Sequence, residues 1–209
     1  MNPSQFVDFY SAQRASAILR TPHGQHAGPA MAAAVRGGFR IIEFTLNTPG
    51  ALDLIRKFAS GNDEVVVGAG TVLSAEEVHQ SIDAGAKFIV SPVVDVEVIK
   101  AAVERGAAVM PGCSTPTEML LAHRAGASLV KVFPQQEPVW VKQTLGPLPF
   151  LKIVPTSGVH LNNCAAFIKA GAHAVGFVNT LFDGNDIANA AFDRIEERAR
   201  RMLEAVRNA

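Results

Sequence analysis

What most constrains this chain is the spacing of its glycines. Gly37, Gly61, Gly85, Gly106, Gly126, Gly146 and Gly171 follow one another at intervals of 24, 24, 21, 20, 20 and 25 residues. Most of them close a helix-like stretch and open an apolar, β-prone run. The clearest copies are DAGAKFIVSP, ERGAAVMPG, RAGASLVKVFP and KAGAHAVGFV. A helix that ends on a left-handed residue favours glycine there. Short apolar runs with little alternation suit parallel strands buried on both faces. The seven exits imply strands at roughly Phe39–Thr45, Glu64–Gly68, Lys87–Ser91, Ala107–Pro111, Ser128–Phe133, Leu151–Pro155 and His173–Val178. An earlier strand, Ser16–Arg20, follows an N-terminal helix around Pro3–Arg14. A repeat of ~20–25 residues is about the minimum for one strand, one helix and two short loops. Eight such repeats predict an α/β fold, a (β/α)8 TIM barrel with an N-terminal helix, and residues 1–209 are read as its single domain. A doubly wound open sheet is the rival architecture, but a regular count of eight favours closure. A last helix is expected over Asn185–Val206, with Ile187, Ala191, Ile195, Ala199, Met202 and Val206 on one face.

Composition narrows the partners. Nineteen basic residues balance nineteen acidic ones, so no basic excess points to nucleic acid. No apolar run approaches the ~20 residues of a membrane span. The opening MNPSQFVDFYSAQR lacks a basic segment followed by an apolar one, so no signal peptide is expected. Two cysteines, Cys113 and Cys164, cannot form a disulfide framework, and a reducing cytoplasm is the expected location. The six histidines show no metal-type pairing, so no metal or other cofactor is expected.

In this fold chemistry lies at the C-terminal ends of the strands. Three charged side chains fall there: Arg20, Glu43 and Lys131. Lys131 interrupts the otherwise apolar Leu129–Phe133. Lysine is almost never buried without a partner or a purpose. Burial disfavours its charged form and leaves some neutral amine, as a Schiff-base nucleophile requires. A snorkelling structural lysine is the alternative. Glu43 and Thr45 share one face of their strand. The carboxylate is suited to moving protons, or else forms a structural ion pair. Arg20 is either a carboxylate clamp or a rim salt bridge. Cys113, just past the fifth strand, reads as a small inert filler.

Six ordered stretches, RGGFRIIEFTLNTPG at 36–50, VVGAGTVL at 66–73, FIVSPVVD at 88–95, MPGCSTPTE at 110–118, VKVFP at 130–134 and PTSGV at 155–159, resemble one family. It is that of the class I 2-keto-3-deoxy-6-phosphogluconate (KDPG) and 4-hydroxy-2-oxoglutarate aldolases, and the likeness runs from about Ala17 to Phe182. The resemblance implies a metal-independent homotrimer that cleaves a 2-keto-4-hydroxy acid to pyruvate and an aldehyde. It makes Lys131 the Schiff-base residue, Glu43 the acid/base and Arg20 a ligand of the pyruvate carboxylate. Thr45, Thr71 and Thr156 are expected in the substrate pocket, with Pro92 and Phe133 in its wall and Ser157 and Asn179 towards the substrate tail. Two departures bear on that tail. Asn47 stands where some members carry arginine, and Ser157-Gly158 and Gly176-Phe177-Val178-Asn179 stand where phosphate-using members have paired glycines. A phosphate would then rely on the N-terminus of a short helix near Asn179. The alternatives are a phosphosugar isomerase or epimerase on the same barrel, or a non-catalytic sugar-acid binding protein.

Overall fold

The computed structural model describes residues 1–61 and 64–209. The chain alternates helix and strand from end to end: α1 (Pro3–Gln13), β1 (Ala15–Leu19), α2 (Gly24–Arg36), β2 (Ile41–Thr45), α3 (Ala51–Gly61), β3 (Val66–Gly70), α4 (Ala75–Asp83), β4 (Phe88–Ser91) and α5 (Val96–Glu104). It continues through β5 (Ala108–Cys113), α6 (Pro116–Arg124), β6 (Val130–Val132), α7 (Pro138–Leu145), β7 (Ile153–Pro155), α8 (Cys164–Lys169), β8 (Val175–Phe177), α9 (Gly184–Ala188) and α10 (Phe192–Arg207). The strands lie in the order β7-β6-β5-β4-β3-β2-β1-β8, every pair parallel. The sheet returns on itself where the His173 amide donates to the Ile153 carbonyl at 2.8 Å, joining the β7 edge to the approach to β8. The architecture is a (β/α)8 barrel, as the repeat predicts. Among the described residues no helix is long and apolar enough to cross a membrane.

Period-two alternation splits each strand between two cores. Ile42, Phe44, Val67, Ile89, Val109, Val130 and Val132 point outward and pack under the helices. Ile41, Val66, Phe88, Val90, Met110, Leu129, Val154 and Ala174 point inward. The inward set is closed from below by α1, whose Phe6, Val7 and Tyr10 are buried among them. Phe6 stacks on Phe88 with ring centroids 4.6 Å apart, and the Tyr10 hydroxyl shares a 2.6 Å hydrogen bond with Ser16 Oγ. A capping box between Asn2 and Gln5, with Pro3 at the first helical position, starts this helix cleanly. The N-terminal end of the barrel is therefore sealed, and the C-terminal end stays open.

The glycine punctuation is partly as expected. Gly85, Gly106, Gly126 and Gly171 all take positive φ. All four show the paired bonds of a left-handed helix exit; at Gly85 its amide donates to Ile82 O at 2.9 Å and the Ala86 amide to Ser81 O at 3.0 Å. The other three expected exits differ. Gly38, not Gly37, turns the chain after α2, with φ 113. Gly37 is held small because a Cβ there would lie 2.5 Å from the Ala199 Cβ of α10. Gly146 stays right-handed at φ −53, and Gly61 lies within α3. The expected helix over Asn185–Val206 is also two helices. Ala190 takes φ 53 between α9 and α10, and the buried Asp186 carboxylate ties the break together through Arg194 at 3.3 Å and Arg198 at 2.5 Å.

Candidate functional site

A cavity of about 140 Å³ opens at the C-terminal ends of β1, β2, β6, β7 and β8. It is lined by Arg20, Glu43, Pro92, Lys131, Phe133 and Thr156, and on its outer side by Ser157 and Asn179. Eight of the ten site residues expected from the sequence thus meet in one place. Alternation explains the convergence. Ile18 and Arg20 share the inward face of the first strand and its exit, Glu43 continues the inward register from Ile41, and Lys131 continues it from Leu129. In the barrel order β2 and β6 are four strands apart, so Glu43 and Lys131 project from opposite walls.

Two expected residues do other work. Thr45 is buried beside the cavity but does not line it; its Oγ1 lies 2.7 Å from Asn47 Oδ1, 3.2 Å from Leu19 O and 3.2 Å from Thr48 Oγ1, which ties the ends of β1 and β2 together. Thr71 takes φ 58 and turns its Oγ1 to the Arg20 guanidinium, which donates to it at 3.5 Å, so it orients the arginine from outside the cavity wall. Asn179 sits in a short turn closed by the Leu181 and Phe182 amides donating to Val178 O at 3.1 and 2.8 Å, not at a helix start; the next helix begins at Gly184. Cys113 packs into the outer core instead of the cavity, and burial pushes its thiol up to about 12. Part of the MPGCSTPTE stretch is a helix start: Glu118 accepts from the Ser114 and Thr115 amides at 2.7 and 2.8 Å, and Thr115 caps α6 in return.

The electrostatics of the cavity are unusual. Glu43 is 2% exposed, and its Oε2 has no hydrogen-bond partner. Burial raises its pKa from 4.5 to about 7, with Lys131 and then Arg20 opposing the rise. Lys131 is 7% exposed; burial holds its pKa below the usual lysine range, Glu43 opposes this and Arg20 adds to it. Among the described residues Lys131 makes no ion pair, and its Nζ lies 5.2 Å from the centre of the Phe133 ring. Among the described residues neither Glu43 nor Arg20 forms an ion pair, so the structural pair offered for Glu43 and the rim salt bridge offered for Arg20 are not seen. A buried carboxylate shifted up and a buried amine shifted down, facing one cavity, are brought closer together in proton affinity.

Sequence reasoning missed several residues here. Ile18, Val159, Val178 and Thr180 complete the wall. Ile18 was accessible from the alternation Ser16-Ile18-Arg20; the loop residues carry no comparable signal. It also missed the inward glycines Gly68, Gly70 and Gly176. A Cβ on Gly176 would lie 2.7 Å from Ile18 Cδ1 and 2.8 Å from Thr156 Cγ2, so its small size leaves room for two wall residues.

A barrel open only at its C-terminal end, with ionisable groups gathered in that opening, is the architecture of a (β/α)8 enzyme. Known sequences narrow the class. The family model for KDPG and KHG aldolase matches residues 10–198. The KHG/KDPG aldolase of Escherichia coli K12 is 32% identical over 186 residues, covering 88% of this chain and 87% of that protein. The 2-dehydro-3-deoxy-6-phosphogalactonate aldolase of the same organism is 33% identical over 197 residues, covering 92% and 94%. A solved structure of native KDPGal superposes with a TM-score of 0.82 at 33% identity, covering 93% of this chain and 94% of that one. This chain belongs to the KDPG and KHG aldolase family and is an aldehyde-lyase.

Proposed function

We propose that this protein is a class I aldolase that reversibly cleaves a 2-keto-4-hydroxy acid, such as KDPG or 4-hydroxy-2-oxoglutarate, to pyruvate and an aldehyde (glyceraldehyde 3-phosphate or glyoxylate). The observation that carries the reading is Lys131: a buried amine without an ion pair among the described residues, pushed towards its neutral form, at the wall of the cavity at the barrel's C-terminal end. Its neutral Nζ attacks the C2 carbonyl to give a carbinolamine, which takes up a proton from solvent and loses water to become a protonated imine. The C3–C4 bond then breaks, and its electron pair moves into the imine to form an enamine. Glu43 takes the proton of the C4 hydroxyl, the aldehyde leaves, and Glu43 returns that proton to C3. Water hydrolyses the imine, releasing pyruvate and the free lysine. A carboxyl group with a pKa of about 7 can do both halves of this transfer. Arg20, turned by Thr71 and free of ion pairs among the described residues, is placed to hold the substrate carboxylate by its fork.

Residues 1–209 act as one domain on this reading, and the resemblance supports a homotrimer working in the cytoplasm. Light scattering on the purified chain tests the trimer. The chemistry is tested by adding borohydride in the presence of pyruvate. A stable adduct on Lys131, absent from Lys131→Met, is expected. An unmodified Lys131 in an active enzyme would overturn the mechanism.

A further inference from the structure

We infer that Gly70 is a positioning residue: the space left by its missing side chain is the seat of the Glu43 carboxylate. Gly70 ends β3 and lies beside Thr45 of β2, with Gly68 beside Glu43. A Cβ on Gly70 would overlap Glu43 Oε1 and lie 2.6 Å from its Cδ and 3.0 Å from its Cγ. Gly70 does not take positive φ, so its backbone does not require glycine. Gly68, one inward position earlier, clears room for the Phe88 ring in the same way. Strand β3 thus carries two indentations, one filled by an apolar ring and one by a carboxylate.

The indentation matters because polar anchors are missing. Among the described residues Oε2 of Glu43 has no hydrogen-bond partner, and no ion pair holds the carboxylate. A buried side chain without such bonds is located by the shape around it. An alanine at 70 would force the carboxylate from its place and change where it takes and gives its proton. Lys131 projects from β6 on the opposite wall and keeps its own seat.

This inference rests on Glu43 as the proton carrier, so the test is a double-mutant cycle between the two residues. The rates compared are kcat for cleavage and pyruvate methyl-proton exchange in wild type, Gly70→Ala, Glu43→Asp and the double variant. Aspartate is one methylene shorter and withdraws from the indentation. Gly70→Ala should lower both rates about 100-fold, the low end of what a displaced general acid–base loses. The borohydride-trapped pyruvate adduct should still form to completion. In the Glu43→Asp background, the same alanine should cost less than about threefold, because the space it fills has been vacated. Equal losses in both backgrounds would overturn the role of Gly70. Full activity of Glu43→Asp and of Glu43→Ala would instead overturn the role of Glu43. Should Gly70→Ala fail to fold, thermal unfolding in the Glu43→Ala background decides. Restored folding there supports the seat, and continued failure refutes it.

Discussion

Replacing Glu43 with glutamine should stabilise the protein while disabling it, and the gain should depend on pH in a defined way. Burial raises the Glu43 pKa from 4.5 to about 7, even with Lys131 and Arg20 opposing. The folded state therefore holds this proton more tightly than the unfolded chain does. Its contribution to stability is fully present below pH 4.5, declines as pH rises from 4.5 to about 7, and is absent above that. The whole change corresponds to about 3 kcal/mol, at roughly 1.4 kcal/mol per pKa unit. Glutamine has nearly the same shape and cannot ionise. Relative to wild type, Glu43→Gln should gain about 3 kcal/mol at pH 8 but only about 1 kcal/mol at pH 5. Urea unfolding followed by circular dichroism at the two pH values measures the difference directly. Turnover, measured in parallel, should fall by roughly 100-fold or more, since the amide cannot carry a proton. A stability difference that is equal at pH 5 and pH 8 would refute the reasoning. It would mean that the carboxylate ionises without penalty and that burial does not hold its proton.

Two further outcomes follow from the same geometry. Arg20→Gln should raise KM for the keto acid by roughly 10- to 100-fold, the worth of a charge-assisted fork, with a smaller change in kcat; an unchanged KM in steady-state kinetics would count against the carboxylate contact. Phe6→Ala should cost about 3–5 kcal/mol in unfolding free energy, because the ring is 1% exposed and stacked on Phe88. Its kcat/KM should stay near wild type below the melting temperature, since Phe6 lies at the sealed end of the barrel, away from the cavity.

The residues legible in the sequence were those whose chemistry conflicts with their surroundings. Lys131 between Val130 and Val132, and Glu43 between Ile42 and Phe44, stand out because strand periodicity alone would bury them. The eightfold repeat was readable for a related reason: helix exits at Gly85, Gly106, Gly126 and Gly171 need left-handed backbone, which is a local property. What escaped was tertiary. The need for glycine at Gly37, Gly70 and Gly176 comes from an atom on another element, and spacing along the chain says nothing about it. Thr45 and Thr71 are expected in the pocket and line none of it, because the partner each hydroxyl chooses depends on neighbouring strands. The break at Ala190 escaped because apolar spacing continues across it, while the Asp186–Arg198 pair that bends the chain spans twelve residues.

The helix that seals the barrel floor carries a consequence for how the molecule is made. During synthesis α1 emerges before every strand of the barrel, yet it packs beside Phe88, Met110, Val154 and Ala174, the last of which comes 164 residues after Tyr10. The stopper exists before there is a vessel to close. Until β8 arrives, Phe6 and Tyr10 have only part of their binding surface, and water can reach the space beneath Glu43 from below. The seal that keeps that carboxyl dry is thus among the last features to mature, so an incompletely folded barrel cannot yet hold the proton its chemistry needs.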